Sequence, residues 1–427
     1  MTDDPATLWH ATAAPLPAFP ALVGPDEADL LVVGGGFAGL STALHAAQGG
    51  LRVALVEAHR IAWGASGRNA GFVVPNFAKV DPDAIAQALG DRAERLVAMA
   101  AGSGDLVFDL IRRHAIACDA AQSGWIQPSH SAQAFARAQD RVRQWSARGR
   151  PVEVLDRAGV TAMTGVRGWH GGWIDRSGGV LNPVGYGRGL ARAAAAAGAA
   201  LHERTPVLTL ARQGADWLAT TPQGRVRARR VVLATNAHVG ALWPGLAQGF
   251  FPLRVFQVAT HPLPAAVRQR LLPGGQSVSD TQRNLFTFRF DAENRLISGG
   301  MSILPAGAED RVPQAIHRRM ARVLDLPALP PLQYQWSGLA AVMPDFLPRV
   351  IEPAPGLIAG YACNGRGIAL TTAMGRELAA WAAGRPADAL ALPLVAARPL
   401  PLHALARHAP NLLLPFSILR DRLDRRA

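Results

Sequence analysis

Lysine is all but missing from this sequence: Lys79 is the single one, against arginines spread along all 427 residues. The formal net charge of +13 is therefore an arginine charge. A nucleic-acid binder gathers its basic residues into a patch or stripe, and no such gathering is visible here. The alanine-rich, arginine-for-lysine bias is what a GC-rich genome would write, and no nucleic-acid partner is expected. Cysteine is nearly absent as well. Cys118 and Cys363 are too few for a disulfide framework, which points to a reducing, cytoplasmic setting. No basic segment followed by an apolar stretch opens the chain, so no secretory signal is expected. The 12 histidines are scattered, without a close His/Cys/Asp group. Any one of them is more often a surface or core residue than a catalyst, and no metal centre stands out.

Charge itself is absent from Leu30 to Leu51, a window long enough to suggest a membrane span. Glycines at 34, 35, 36, 39, 49 and 50 interrupt it. The window reads better as a buried strand, a tight turn and a short helix, so no span is expected. The rest is ordinary for a folded protein. Hydrophobic residues make up 49% and mean hydropathy is +0.10, which excludes a disordered chain. The length allows two or three domains or one composite enzyme.

Along the chain, prolines at 5, 15, 17, 20 and 25 suggest an extended arm over 1–28. "ADLLVV" (28–33) is apolar and β-branched, as a buried parallel strand should be. From Phe37 a helical face of Leu40, Ala43, Leu44 and Ala47 runs to Gly49-Gly50, and "LRVALVE" (51–57) is a second strand. Two helices are expected within 83–116, another over 131–149, and a helix running into a strand over 190–203. Residues 225–237 read as a strand pair ending in a turn. Strands fall in 253–300, with "DAEN" as a hairpin turn, then a helix over 314–325. A strand at 356–361 is backed by a helix at 367–382. The fold class is α/β: a Rossmann-like nucleotide-binding domain assembled from separated segments, with an inserted substrate domain holding an antiparallel sheet. The expected division is an arm (1–28), nucleotide-binding parts at 29–82, 171–245 and 336–390, substrate-domain parts at 83–170 and 246–335, and a tail (391–427).

Gly34-x-Gly36-x-x-Gly39 lies between the first strand and its helix. Gly34 permits the turn, Gly36 admits a pyrophosphate, Gly39 lets helix and strand pack closely, and the helix N-terminus attracts phosphate. Glu57 ends the second strand, 18 residues after Gly39, where a carboxylate takes ribose hydroxyls. An arginine there would have suited a 2′-phosphate. NAD and FAD share this fingerprint. The segment beyond Glu57 separates them: the polar loop of Gly64, Ala65, Ser66, Gly67, Arg68, Asn69 and Gly71 can wrap a longer cofactor.

These stretches, with "DRSGGVLNPVGYGRGLARAAAAAGA", "VVLATNAHV", "SGLAAVMPDFLPRV" and "GYACNGRGIALTTAMGRELAA", resemble the FAD-dependent oxidoreductases of the D-amino-acid oxidase superfamily. Within it they resemble the bacterial γ-glutamylputrescine oxidase-like branch. One departure bears on the substrate: the usual "RNGGQ" reads "RNAGF" here, with Ala70 and Phe72 at its variable positions. The resemblance implies FAD, held by Gly34, Gly36, Phe37, Ala38, Gly39, Glu57 and Ala58, and by Gly64, Ala65, Ser66, Arg68, Asn69, Gly71 and Phe72. Val207 would back the adenine, and Ala234, Thr235 and Asn236 would close the adenosine side. Asn364, Gly365, Arg366, Gly367 and Ile368 would face the flavin pyrimidine.

The implied reaction is hydride transfer from the C–H beside a nitrogen to flavin N5. It gives an imine that hydrolyses, with oxygen the expected acceptor and a small amine or amino-acid derivative the substrate. Arg366, Tyr361 and Trp336 are the catalytic candidates. Arg366 is expected to serve the reduced flavin's negative charge, with a substrate carboxylate as its competing partner. Arg254, Gln257 and His261 are further substrate-face candidates. Arg283 and Arg289 are expected on one face of a strand, suited to a carboxylate. Cys118 is expected in the core, and Cys363 is the one thiol that could reach a flavin, which is expected to be non-covalent. Alternatives stay open: a quinone-linked dehydrogenase docked by the tail face of Phe416, Leu419 and Leu423, a tRNA-modifying flavoenzyme, or a flavin binder without turnover.

Overall fold

A computed structural model describes residues 5–301, 306–361, 363–401 and 403. The suggested tail helix, with Phe416, Leu419 and Leu423, lies outside the described residues.

Two large sheets organise the chain. In the first, strands run in the order Leu394–Val395, Arg349–Ala354, Leu357–Tyr361, Gly224–Leu233, Gly24–Val33, Val53–Val56 and Ala200–His202. The last five pair in parallel. Such strands are buried on both faces, which is why the second half of Gly24–Val33 and all of Val53–Val56 and Leu357–Tyr361 are apolar and buried. An antiparallel hairpin, Thr209–Gln213 and Asp216–Thr220, extends the first half of Gly224–Leu233. Residues 225–237 are thus one long strand and a turn rather than a strand pair. Their alternating arginines are the solvent face of a single strand.

Helix Phe37–Gln48 lies against this sheet, gripped by helices Pro183–Ala196 and Gly367–Ala382. Close packing of Phe37–Gln48 against Gly367–Ala382 needs Gly375, whose Cβ would crowd the Ala38 carbonyl and Ser41. Ser41 Oγ donates to Thr372 O at 2.7 Å across the same seam. Gly49 caps Phe37–Gln48, as read from sequence.

The second sheet has the order Leu332–Val342, Phe251–Pro262, Arg295–Met301, Thr287–Phe290, Ser277–Ser279, Trp125–Pro128, Gly172–Asp175 and Val152–Leu155. Its pairs are antiparallel except Ser277–Ser279 with Trp125–Pro128. Strand Gly172–Asp175 falls in this sheet, so the expected border at 170/171 lies too early, and that at 335/336 cuts strand Leu332–Val342. Between sheets, residues 82–113 form three α-helices and a 3-10 turn, where two helices were expected. The arm is not simply extended. Leu8–Thr12 is a helix capped by Thr7, with Leu8 and Trp9 buried, and Gly24 already begins a strand.

Candidate cofactor and substrate site

The parallel strands of the first sheet deliver their carboxyl ends to one edge, where ligands of open α/β sheets bind. Gly34–Gly36 follow the first, Glu57–Ala58 the second, Ala234–Asn236 follow Gly224–Leu233, and Asn364–Gly367 follow Leu357–Tyr361. A cavity of about 1190 Å³ runs from this edge onto the face of the second sheet. It exceeds the roughly 300–1,000 Å³ of common small-molecule sites, leaving room for a long ligand and a second one beyond it.

The glycine turn is shaped as the sequence suggested. Gly34 has φ +112°, a conformation side-chain-bearing residues rarely adopt. A Cβ on Gly39 would collide with the Gly34 carbonyl oxygen. Gly36 caps the helix in extended conformation, and Phe37 N donates to Ser66 Oγ at 3.1 Å. Glu57 braces the turn from below: Oε2 accepts Gly35 N at 2.6 Å and Oε1 accepts His59 N at 2.9 Å. Burial pushes its carboxyl above the ordinary range while these amides pull the other way.

The polar loop is knitted by its own side chains. Asn69 Nδ2 donates to Ser66 O at 2.8 Å and its Oδ1 accepts Gly71 N at 2.8 Å. Gly71 has φ +74° and presses on Leu181 O and Arg289, leaving no room for a Cβ. Arg68 donates to Trp63 O at 2.9 Å and covers the Trp63 ring at 4.5 Å. His59 stacks on that ring at 3.8 Å, and His238 meets it edge-on. These aromatic groups line the cavity and carried no signal in the sequence beyond their proximity to the loop.

At the far turn, Asn364 and Gly365 take left-handed conformations with φ +51° and +83°. Asn364 Oδ1 accepts Met343 N at 2.8 Å. A Cβ on Gly365 would meet nothing within 4 Å, so the backbone itself faces the open cavity.

Most of the suggested cofactor residues line this cavity: Gly34, Gly36, Phe37, Ala38, Glu57, Ala58, Gly64, Ala65, Ser66, Arg68, Asn69, Phe72, Val207, Ala234, Thr235, Asn236, Asn364, Gly365, Arg366, Gly367 and Ile368. Gly39 and Gly71 stand behind it, supporting their neighbours.

The catalytic candidates divide. Arg366 lines the cavity, while Tyr361 and Trp336 do not. Tyr361 is buried against Phe250 and donates its hydroxyl proton to Leu246 O, because its strand turns that side chain away from the cavity. Trp336 lies behind the polar loop, donating to Arg68 O at 3.0 Å and meeting Trp9 edge-on. Arg283 and Arg289 do not share a face. Arg283 sits in a loop before the strand and reaches the cavity, whereas Arg289 is buried and donates to Gly71 O at 2.7 Å and Leu181 O at 2.8 Å. Arg254 is at the surface, paired with Glu309 at 2.8 Å, and His261 is exposed at the sheet end. Gln257 does line the cavity. Cys118 is buried, its thiol pushed up to about 12 by burial. Cys363 is buried at the cavity wall, its thiol also raised by burial.

Sequence reasoning missed a second set: Gln127, Arg137, Arg141, Lys79 and Asp280. They come from segments that carry no motif and meet only through the second sheet.

On the cavity wall, Thr235 Oγ1, Gln257 Oε1 and Arg366 Nε are buried polar atoms with no hydrogen-bond partner among the described residues. Buried polar groups are seldom left so, and their position on a long cavity with a glycine turn fits an extended polar ligand. The family model described as FAD dependent oxidoreductase matches residues 29–381. The chain belongs to this FAD dependent oxidoreductase family. Its cofactor is FAD, and the orphaned Thr235 hydroxyl and the bare backbone at Gly36 and Gly365 suit that molecule. The chain is similar to a probable oxidoreductase OrdL of Rhizobium meliloti, 31% identical over 390 residues and 90% of each chain. It is 28% identical to the gamma-glutamylputrescine oxidoreductase of Escherichia coli over 382 residues, 89% of each. Among solved structures, glycine oxidase from Geobacillus kaustophilus superposes with TM-score 0.69 at 22% identity, covering 86% of this chain and 96% of that one. L-amino acid deaminase from Proteus vulgaris gives 0.71 at 19%, covering 90% and 96%. These likenesses show the fold. No helix among the described residues is long and apolar enough to cross a membrane, and they hold no group of three metal-ligating side chains.

Proposed function

We propose that this oxidoreductase oxidises a C–N bond of an amine or amino-acid derivative, with oxygen as electron acceptor. The observation that carries the reading is the shape and charge of one cavity. Its first-sheet end is a dinucleotide turn, and its inner end holds Arg366, a guanidinium that no carboxylate among the described residues neutralises. Bound FAD supplies the hydride acceptor for the C–H beside nitrogen. The chain supplies position. The first sheet with its helices forms the cofactor half. The second sheet forms the substrate half, walling the cavity with Gln257, Gly299 and Gly338. Of the carboxylates on the cavity, Glu57 is held by the Gly35 and His59 amides, Asp81 by Arg141 and Asp280 by its own loop, which suits a substrate that arrives with its amine neutral. The two free, buried cysteines fit a reducing, cytoplasmic setting.

For Arg366, the contact with Trp125 of the second sheet, 5.2 Å from Cζ to the ring centroid, favours the substrate side over the flavin. Burial and the charge of Arg141 lower its pKa to about 10, so it stays cationic at neutral pH. Arg366→Ala should then raise the Michaelis constant for carboxylate-bearing substrates and leave the flavin potential near its wild-type value. A shifted potential with an unchanged Michaelis constant would return Arg366 to the flavin. The function as a whole is tested by mixing the yellow protein anaerobically with a panel of amines and amino acids. Bleaching of the flavin by at least one, reversed on admitting air, is expected. Bleaching reversed only by a quinone would replace oxygen as acceptor, and no bleaching by any would overturn the reading.

A further inference from the structure

The second sheet's wall of the cavity is apolar where a strand open to water would be polar. Strand Phe251–Pro262 sends alternate side chains to opposite faces. On one face Phe256 and Val258 pack with Val312, Ile316 and Met320 of helix Ala308–Val323. On the other, Phe251, Leu253, Val255 and Gln257 line the cavity. An antiparallel strand with one face on a core and one in water reads hydrophobic-in and polar-out. Here three of the four cavity positions are hydrophobic. Pairing widens the strip, because residues directly opposite share a face. Phe251 stands opposite Val342, Leu253 opposite Ala340, and Val255 opposite both Met301 and Gly338. All of these line the cavity as well.

The polar loop closes over the sheet at Gly338, where a Cβ would stand 3.0 Å from Arg68 Cβ. From Val255 to Phe251 the strip runs on for about 13 Å, half-buried on the cavity. The cofactor turns stand at the edge of the first sheet, and this strip belongs to the second. Phe72 lines the same cavity, at the position where the usual motif has glutamine. Within strands Phe251–Pro262, Arg295–Met301 and Leu332–Val342, Gln257 is the one polar side chain on the cavity among the described residues. It is 6% exposed, and its Oε1 has no hydrogen-bond partner among them. Its amide lies over Gly299, where a Cβ would come within 2.6 Å of Nε2. A buried acceptor left unpaired by its own protein is one that a ligand's donor can satisfy. Ligand sites combine an apolar wall with a few polar groups placed in this way.

We propose that the substrate is an amine bearing an extended apolar group: its nitrogen donates a hydrogen bond to Gln257 Oε1, and its alkyl or aryl chain lies along Val255, Leu253 and Phe251, with Phe72 on the same cavity. This rests on the amine-oxidising reading above. Each CH2 buried on that wall adds affinity, whereas a polar chain of the same length would give up its water there without gaining a partner. Phe72, Leu253 and Val255 thus select the chain, and Gln257 anchors the nitrogen.

Straight-chain primary amides test this, because they carry an N–H donor while the carbon beside their nitrogen has no hydrogen to lose. The purified yellow holoenzyme is titrated with the series from propanamide to octanamide, following the flavin absorbance shift. With FAD in place, the series reads only the apolar wall that the cofactor leaves open. Each added CH2 should tighten binding about two- to fourfold. Leu253→Asn and Phe72→Gln, both keeping their FAD, should flatten that gain. Gln257→Leu should weaken every amide about two- to tenfold and leave the gain per CH2 unchanged. A flat or non-binding series, a gain that survives both wall variants intact, or amides bound by Gln257→Leu as tightly as by wild type overturns the proposal. If the gain is seen while no amine bleaches the flavin, the amine-oxidising function fails and the apolar site stands. If amines bleach the flavin and the series is flat, the reverse holds.

Discussion

Replacing Trp9 should loosen a loop that lies 60 residues further along the chain. Trp9 is 1% exposed, and its Nε1 donates to Asn69 O at 2.7 Å. Its ring meets Trp336 edge-on at 6.0 Å and carries the Arg289 guanidinium at 5.3 Å. Trp336 and Arg289 in turn hold Arg68 O and Gly71 O. The arm helix is thus one leg of a three-legged support behind residues 64–71. Truncating a buried tryptophan to alanine costs about 3–5 kcal/mol, and the abandoned Asn69 carbonyl falls within that loss rather than adding in full. Trp9→Phe keeps most of the apolar contact and loses the donor, about 1 kcal/mol. The assay is FAD affinity, followed by the rise in flavin fluorescence as cofactor is released on dilution. Trp9→Ala should weaken it about tenfold or more, equivalent to about 1.4 kcal/mol reaching the loop, and Trp9→Phe by only a few-fold. If Trp9→Ala lowers the urea midpoint yet binds FAD as tightly as wild type, the arm stabilises the fold without supporting the loop, and the reasoning fails.

Gly39→Ala should abolish FAD binding, because its Cβ would strike the rigid Gly34 carbonyl. Gly36→Ala should weaken it and still fold, because its Cβ would stand 2.8 Å from Ser66 Oγ, a hydroxyl able to rotate away. Equal FAD retention by the two variants would contradict this. Asp280 has its carboxyl raised from 3.8 to about 6, chiefly by burial. Its folded pKa exceeds the unfolded one, so its contribution is present below about 4 and lost as pH rises through about 6, up to about 3 kcal/mol. Subtracting the Asp280→Asn stability curve from that of wild type should reveal that slope, and a flat difference would rule it out. Burial also raises the Cys363 thiol, leaving little thiolate to form a flavin bond. Acid precipitation should therefore release all the yellow colour, and colour left in the pellet and lost in Cys363→Ala would show a link.

What could be seen in the sequence was local. The strand, glycine turn and helix of 28–48, and Glu57 after them, involve residues whose spacing alone sets their geometry. The same holds for the self-knitted loop at 64–71 and the turn at 364–367. Each sits at the carboxyl end of a strand, and parallel pairing brings those ends to one edge without further instruction. The inward faces of the second sheet were different. Parity put Arg283 and Arg289 together, but the strand begins at Thr287, so alternation does not extend back to 283. Tyr361 and Trp336 stood beside motif residues, yet a strand sends neighbours to opposite faces, and which face met the cavity depended on packing against Leu246 and Trp9. Phe251, Leu253, Val255 and Gln257 share a strand face that spacing alone marks out. That this face looks onto the cavity, beside Gly299 and Gly338 from strands far apart in the chain, was decided by the order of strands in a sheet, and strand order is written in no single stretch of residues.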